Sequence, residues 1–194
     1  MELSHRFVRA LGRSAEIHRD QRRKGTEIPY FAHLLAVCSL VLQDGGDEDE
    51  AIAALLHDAA EDQGGEARLA EIEVEFGPNV MEIVAQCSDT FEQPKQPWRE
   101  RKENYLATLP KASTPALRVI VADKLDNARA ILFDYRRLGD GLWARFDPDA
   151  DQLWYYRELV TIYRRIKRFE SRLIDELDRV VSELEAFVSE DSRR

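Results

Sequence analysis

The chain has 194 residues, 44% of them hydrophobic and 34% charged, enough apolar material to fill one core and far from the composition of a disordered chain. A formal net charge of -9 excludes a general nucleic-acid binder, because neutralising phosphate needs a basic field. Cys38 and Cys87 are the two cysteines; each lies in a mainly apolar stretch without Cys-x-x-Cys spacing, so both read as buried free thiols of a reduced compartment. No apolar run approaches the roughly eighteen residues of a membrane helix, and the first residues carry no apolar h-region. The expectation is a cytoplasmic protein with no membrane and no nucleic-acid partner.

Apolar residues recur with a helical period, and glycine and proline gather at the breaks, so the chain reads as all-α. A first helix is expected over 3–18, followed by the basic turn "RDQRRKGTEIP". The stretch "YFAHLLAVCSLVLQDGG" reads as a second helix ended by Gly45 and Gly46. A third, from about Asp47 or Asp49, carries "AALLHDAAED", and two shorter helices follow, stopped at Gly77 and begun near Pro78. The proline-containing segment "TFEQPKQPW" reads as a long surface loop leading into the helix "RERKENYLATL". Next comes the apolar helix "ALRVIVADKLDNARAILFDYRRL", interrupted by Asp123, Lys124, Asp126 and Asn127. From about Asp149 to Val188, residues Leu173, Leu177, Val180, Leu184 and Phe187 recur at alternating steps of four and three, the seam of a helix packed lengthwise on another. The whole chain is read as one domain.

Charge inside apolar helices is costly unless compensated. His33 in "YFAHLLAV", the His57–Asp58 pair in "AALLHDAAED" and Asp123 in "VIVADKLDNA" each break an apolar segment. Together they are what a divalent metal site built inside a helical bundle requires. If the His57 helix continues, Glu61 and Asp62 share its face one turn on. An anionic substrate would need cations, supplied by Arg19, Arg22, Arg23 and Lys24 before the His33 helix, or by Lys95, Arg99, Arg101 and Lys102 after the proline loop. Tyr30, at the head of an apolar helix, is open to packing on a substrate, but an aromatic in that position is more often a core residue. His5 and His18 receive no role.

The segments "RKGTEIPYFAHLLAV", "AALLHDAAED", "EFGPNVMEIV" and "VADKLDNARAI" resemble, in order and spacing, the HD-domain phosphohydrolases of the RelA/SpoT hydrolase type and the stand-alone small alarmone hydrolases. The resemblance covers about residues 15–135 and implies an all-α, HD-type helical bundle. It implies Mn²⁺, or another divalent first-row ion, held by His33, His57, Asp58 and Asp123. It further implies that Glu61 and Asp62 handle the hydrolytic water, with Glu61 the preferred base, and that Asn127 contacts the ribose. Arg23 and Lys24 align with residues that lie against base and phosphates, while "PWRERKENY", with Arg99 and Lys102, resembles a stretch that encloses the nucleotide. "RKGTEIPY" carries one more residue between Arg-Lys and Pro-Tyr than the common form of the family, which leaves guanine and adenine both open as the base.

The implied activity is removal of the 3′-diphosphate from guanosine tetra- or pentaphosphate, yielding GDP or GTP and pyrophosphate. Adenosine analogues are a close second. An HD-type 5′-nucleotidase would use the same metal core, and a catalytically silent, antitoxin-like nucleotide binder would keep the fold. All four expected ligand positions and both acidic positions are filled, which disfavours the silent form. Residues of about 149–190 form a C-terminal helical extension, too short for a synthetase domain, and are expected to serve as helical packing or a homodimer surface.

Overall fold

The fold comes from a computed structural model that describes residues 2–89 and 96–191. Among these residues every regular element is helical, apart from one isolated antiparallel bridge between Arg22 and Pro29. No described helix is long and apolar enough to cross a membrane. Most of the proline-containing loop, with Lys95, lies outside the described residues. The helices are α1 (His5–Ile17), α2 (Phe31–Gln43), α3 (Glu48–Leu56), α4 (Ala59–Gln63), α5 (Gly65–Phe76), α6 (Pro78–Cys87), α7 (Trp98–Thr108), α8 (Thr114–Leu138), α9 (Gln152–Arg165) and α10 (Arg172–Asp191).

The chain divides into two compact units. The first comprises residues 1–95 and 112–123, hence α1 to α6 and the N-terminal part of α8. Here α3 is the central element, packed on α1, α2 and α6, and Ala51 to Leu56 are fully buried. A hydrogen-bonded capping box starts α3: Asp47 accepts from the Glu50 N–H, and the Glu50 carboxylate accepts from the Asp47 N–H. Gly45 ends α2 at a φ of 84°, and a Cβ on Gly46 would stand 2.6 Å from Val41 Cγ1, so both glycines are required where the chain doubles back. Arg118 on α8 donates to Asp44 beyond α2 and to Glu50 on α3. This partly buried fork ties α8 to both neighbours without leaving either carboxylate uncompensated.

The expected continuous helix through "AALLHDAAED" is broken. α3 stops at Leu56 and α4 begins at Ala59. The His57 ring explains the break: its Nδ1 lies 2.8 Å from the Ala54 carbonyl oxygen, the group a continuing helix would offer to the Asp58 N–H.

The second unit comprises residues 96–111 and 124–194. Within it α9 packs on α10 and α7. Leu173, Leu177, Val180 and Leu184 are buried as the seam requires, while Phe187 is half-buried beneath the Arg136 guanidinium. The tail is two helices, separated at residues 166–171, where Ile166 and Phe169 are buried. Cys38 is buried, and desolvation pushes its thiol up to about 11. Cys87 is only half-buried, contrary to expectation, because it ends α6.

Candidate metal centre

Three helices of the first unit bring His33, His57, Asp58 and Asp123 together. His33 sits in the first turn of α2, His57 and Asp58 fill the α3–α4 break, and Asp123 is on α8. One ligand atom each from His33, His57 and Asp58 lies within 4.8 Å of the others. Asp123 Oδ1 is 3.2 Å from His33 Nε2 and 3.7 Å from His57 Nε2. Asp58 Oδ2 is 3.0 Å from His57 Nε2 and 3.7 Å from His33 Nε2. Both imidazoles and Asp123 are almost fully buried.

The donor set fits a divalent cation. A carbonyl only accepts, so His57 Nδ1 carries the proton and donates to Ala54, leaving Nε2 aimed at the carboxylates. His57 Nε2 is buried without a well-formed hydrogen bond among the described residues. The charges also call for a positive centre. Burial pushes the His57 imidazole down, yet Asp58 and Asp123 outweigh it and lift it well above its ordinary value. Burial pushes the Asp58 carboxyl up, yet His57 outweighs it and holds the acid well below the usual carboxylate range. Mixed imidazole and carboxylate donors suit a first-row divalent ion.

Glu61 and Asp62 diverge from the shared face that a continuous helix would have produced. The half-buried Glu61 accepts from the Asp89 backbone N–H at 2.9 Å, and the exposed Asp62 accepts from Gln21 Nε2 at 2.7 Å. Tyr30 is not simply a core ring. Its hydroxyl donates to Asp58 Oδ2 at 2.6 Å, and burial together with Asp58 raises its pKa so that it remains a donor. His18, given no role from sequence, is buried and stacks on Tyr30 with ring centroids 5.4 Å apart. The sequence signal for these contacts was available in "HRDQRRKG", where His18 and Gln21 stand three apart immediately before the basic turn.

Arg23 is half-buried, its guanidinium 5.9 Å from the Tyr30 ring centroid, and Lys24 is exposed beside it. In the second unit, the Arg99 guanidinium lies 3.3 Å from the Trp154 ring centroid and pairs with Glu103, while the Lys102 amine lies 5.1 Å from the Tyr155 ring centroid. Asn127 is half-buried on α8, one turn after Asp123.

An HD-domain family model matches residues 10–147, and the chain belongs to the HD-domain family. Among its relatives is a Xenopus tropicalis protein named guanosine-3′,5′-bis(diphosphate) 3′-pyrophosphohydrolase MESH1, 40% identical over 126 residues, which span 63% of this chain and 68% of that one. A Drosophila melanogaster protein of the same name is 37% identical over 129 residues, covering 65% and 69% of the two chains. A solved structure described as a metazoan ortholog of SpoT that hydrolyzes ppGpp and plays a role in starvation responses superposes with a TM-score of 0.76. It shares 26% identity and covers 94% of this chain and 97% of that one.

Proposed function

We propose that this chain is a metal-dependent phosphohydrolase that removes the 3′-diphosphate from guanosine-3′,5′-bis(diphosphate). The observation that carries the reading is the convergence of two buried imidazoles and two carboxylates from three helices, in a chain whose MESH1 relatives bear that activity in their names. His33, His57, Asp58 and Asp123 are the residues proposed to hold the ion, and Mn²⁺ is the proposed occupant. When bound, such an ion supplies Lewis-acid polarisation of a phosphoryl oxygen and acidifies water.

The remaining work falls to the chain's own side chains. Glu61, with Asp62 beside it, accepts a proton from the attacking water. The water oxygen bonds to the phosphorus next to the ribose, the bond from that phosphorus to the 3′ oxygen breaks, and the 3′ oxygen takes up a proton as pyrophosphate leaves. Arg23 and Lys24 grip phosphate oxygens, aided by Arg99 and Lys102, and Asn127 hydrogen-bonds the ribose. The partner is thus a small nucleotide.

The test incubates purified protein and Mn²⁺ with guanosine and adenosine 3′-diphosphate substrates and with 5′-monophosphates. Pyrophosphate and GDP from the guanosine substrate are the expected products. Inorganic phosphate from 5′-monophosphates alone would overturn the reading in favour of a 5′-nucleotidase.

A further inference from the structure

The segment between α1 and α2 reaches Asp58 and Asp62 at the α3–α4 corner through side chains to which the reaction assigns nothing. Its backbone is tied first. The Tyr30 N–H donates to the Gln21 carbonyl at 3.0 Å, and the Arg23 N–H donates to the Ile28 carbonyl at 2.9 Å. These bonds flank the Arg22–Pro29 bridge and make Gln21 and Tyr30 neighbours across a closed base. The intervening loop folds back on itself: Gly25 takes a φ of 70°, and Thr26 bonds the Arg23 carbonyl through both its N–H and its hydroxyl. The extra residue of this loop is therefore absorbed beyond the bridge, and the relation of Gln21 to Tyr30 does not depend on loop length.

The side chains then branch. The Tyr30 hydroxyl donates to Asp58. Gln21 Nε2 donates to Asp62, and because a carboxylate only accepts, this bond fixes the amide orientation and turns Gln21 Oε1 toward His18 Nδ1, 2.6 Å away. An amide oxygen also only accepts, so the His18 proton resides on Nδ1. Burial lowers the His18 pKa and keeps the ring neutral, consistent with a single N–H, and the ring stacks on Tyr30. One closed circuit, Tyr30 to His18 to Gln21, thus ends on two carboxylates four residues apart.

We propose that His18, Gln21 and Tyr30 are positioning residues, with Tyr30 orienting Asp58 for the metal and the His18–Gln21 pair orienting Asp62 for the water. The proposal rests on the hydrolase reading above, and its two branches predict different losses. A hydrogen-bonded partner behind a metal ligand is worth about 10- to 100-fold in metal affinity, so Tyr30→Phe should weaken Mn²⁺ binding by that factor in calorimetric titration. Gln21→Met keeps the shape and removes the amide. It should lower kcat on guanosine-3′,5′-bis(diphosphate) about tenfold, with KM, Mn²⁺ affinity and circular dichroism unchanged. His18→Leu should reproduce the Gln21→Met loss, and His18→Asn, whose amide nitrogen overlays Nδ1, should restore it.

Asp62→Asn separates this proposal from the reading beneath it. If Asp62→Asn is impaired while Gln21→Met turns over like wild type, the positioning role of Gln21 is overturned and the hydrolase reading stands. If the wild-type protein binds Mn²⁺ but leaves the nucleotide intact, the hydrolase reading and the Gln21 branch fall together, and Tyr30 is still decided by metal affinity. Wild-type Mn²⁺ affinity in Tyr30→Phe overturns the Tyr30 branch. Equal losses of kcat, KM and melting temperature in Gln21→Met would show a purely structural role and overturn the Gln21 branch.

Discussion

At His57 the two ring nitrogens divide the work of building the site: Nδ1 satisfies the Ala54 carbonyl and thereby interrupts the helix, and Nε2 faces Asp58 and Asp123. His57→Ala removes both contributions, so calorimetry should show a loss of Mn²⁺ affinity larger than the about 100-fold upper range of outer contacts. Glu61→Gln should instead keep the ion and lose about 10²- to 10⁴-fold in kcat, the range of a lost general base; metal loss equal to that of His57→Ala would make Glu61 a ligand. The raised pKa of His57 also dictates a pH dependence. In the metal-free protein its contribution to stability is fully present below the unfolded value of about 6.5 and is lost as pH rises through the higher folded value. Cation and proton compete for Nε2, so Mn²⁺ affinity should fall as pH is lowered, with proton release visible as a buffer-dependent heat. Replacing Arg23 or Lys24 by Ala should cost about one to two decades in kcat/KM on the 3′-diphosphate substrate and much less on a chromogenic phosphoester, since the latter offers no second phosphate.

Among the elements, the α9–α10 pair is held by more than its apolar seam. Arg157 forks between Asp178 and Glu185, and Arg164 reaches both Asp175 and Asp178. Hydrogen bonds from Arg164 and Arg157 hold the Asp178 carboxyl below its ordinary range. Its contribution is therefore present above the unfolded carboxylate pKa of about 3.9 and is lost as pH falls through the lower folded value. These groups are partly exposed, so screening limits the effect to about 1 kcal/mol. Asp178→Asn should lower urea-unfolding stability by that amount at pH 7, and by little at pH 2 or in molar salt. The break at residues 166–171 that creates this pair was not legible beforehand, because the heptad-like spacing of Leu173 to Phe187 describes α10 alone and says nothing of where α9 ends. The α3–α4 break was hidden for a different reason: Ala, Leu and Glu are all good helix formers, and only the His57 ring bonding Ala54 overrides them.

For the molecule as a whole, the proposed metal site links ion binding to folding, because its four residues come from α2, the α3–α4 break and α8, which only the folded chain brings together. With Mn²⁺ at about 100 times its Kd, the gain should be about 2.7 kcal/mol, raising the melting temperature of the 194-residue chain by about 5–10 °C, and a chelator should reverse it in a thermal scan. The all-helical class, the order of the helices and the positions of His33, His57, Asp58 and Asp123 were determined by the sequence alone. They depend on short-range quantities, the apolar period and the isolated polar residues that break it, which a linear reading contains. Tertiary structure decided where the remaining groups point. Glu61 and Asp62 are adjacent in the chain, yet one accepts from the Asp89 N–H beyond α6 and the other from Gln21; Tyr30 and His18, unremarkable in sequence, lie behind Asp58 and Gln21. A side chain's partner across 28 or 41 residues is set by how helices pack, and packing is a property of the assembled core rather than of any local pattern.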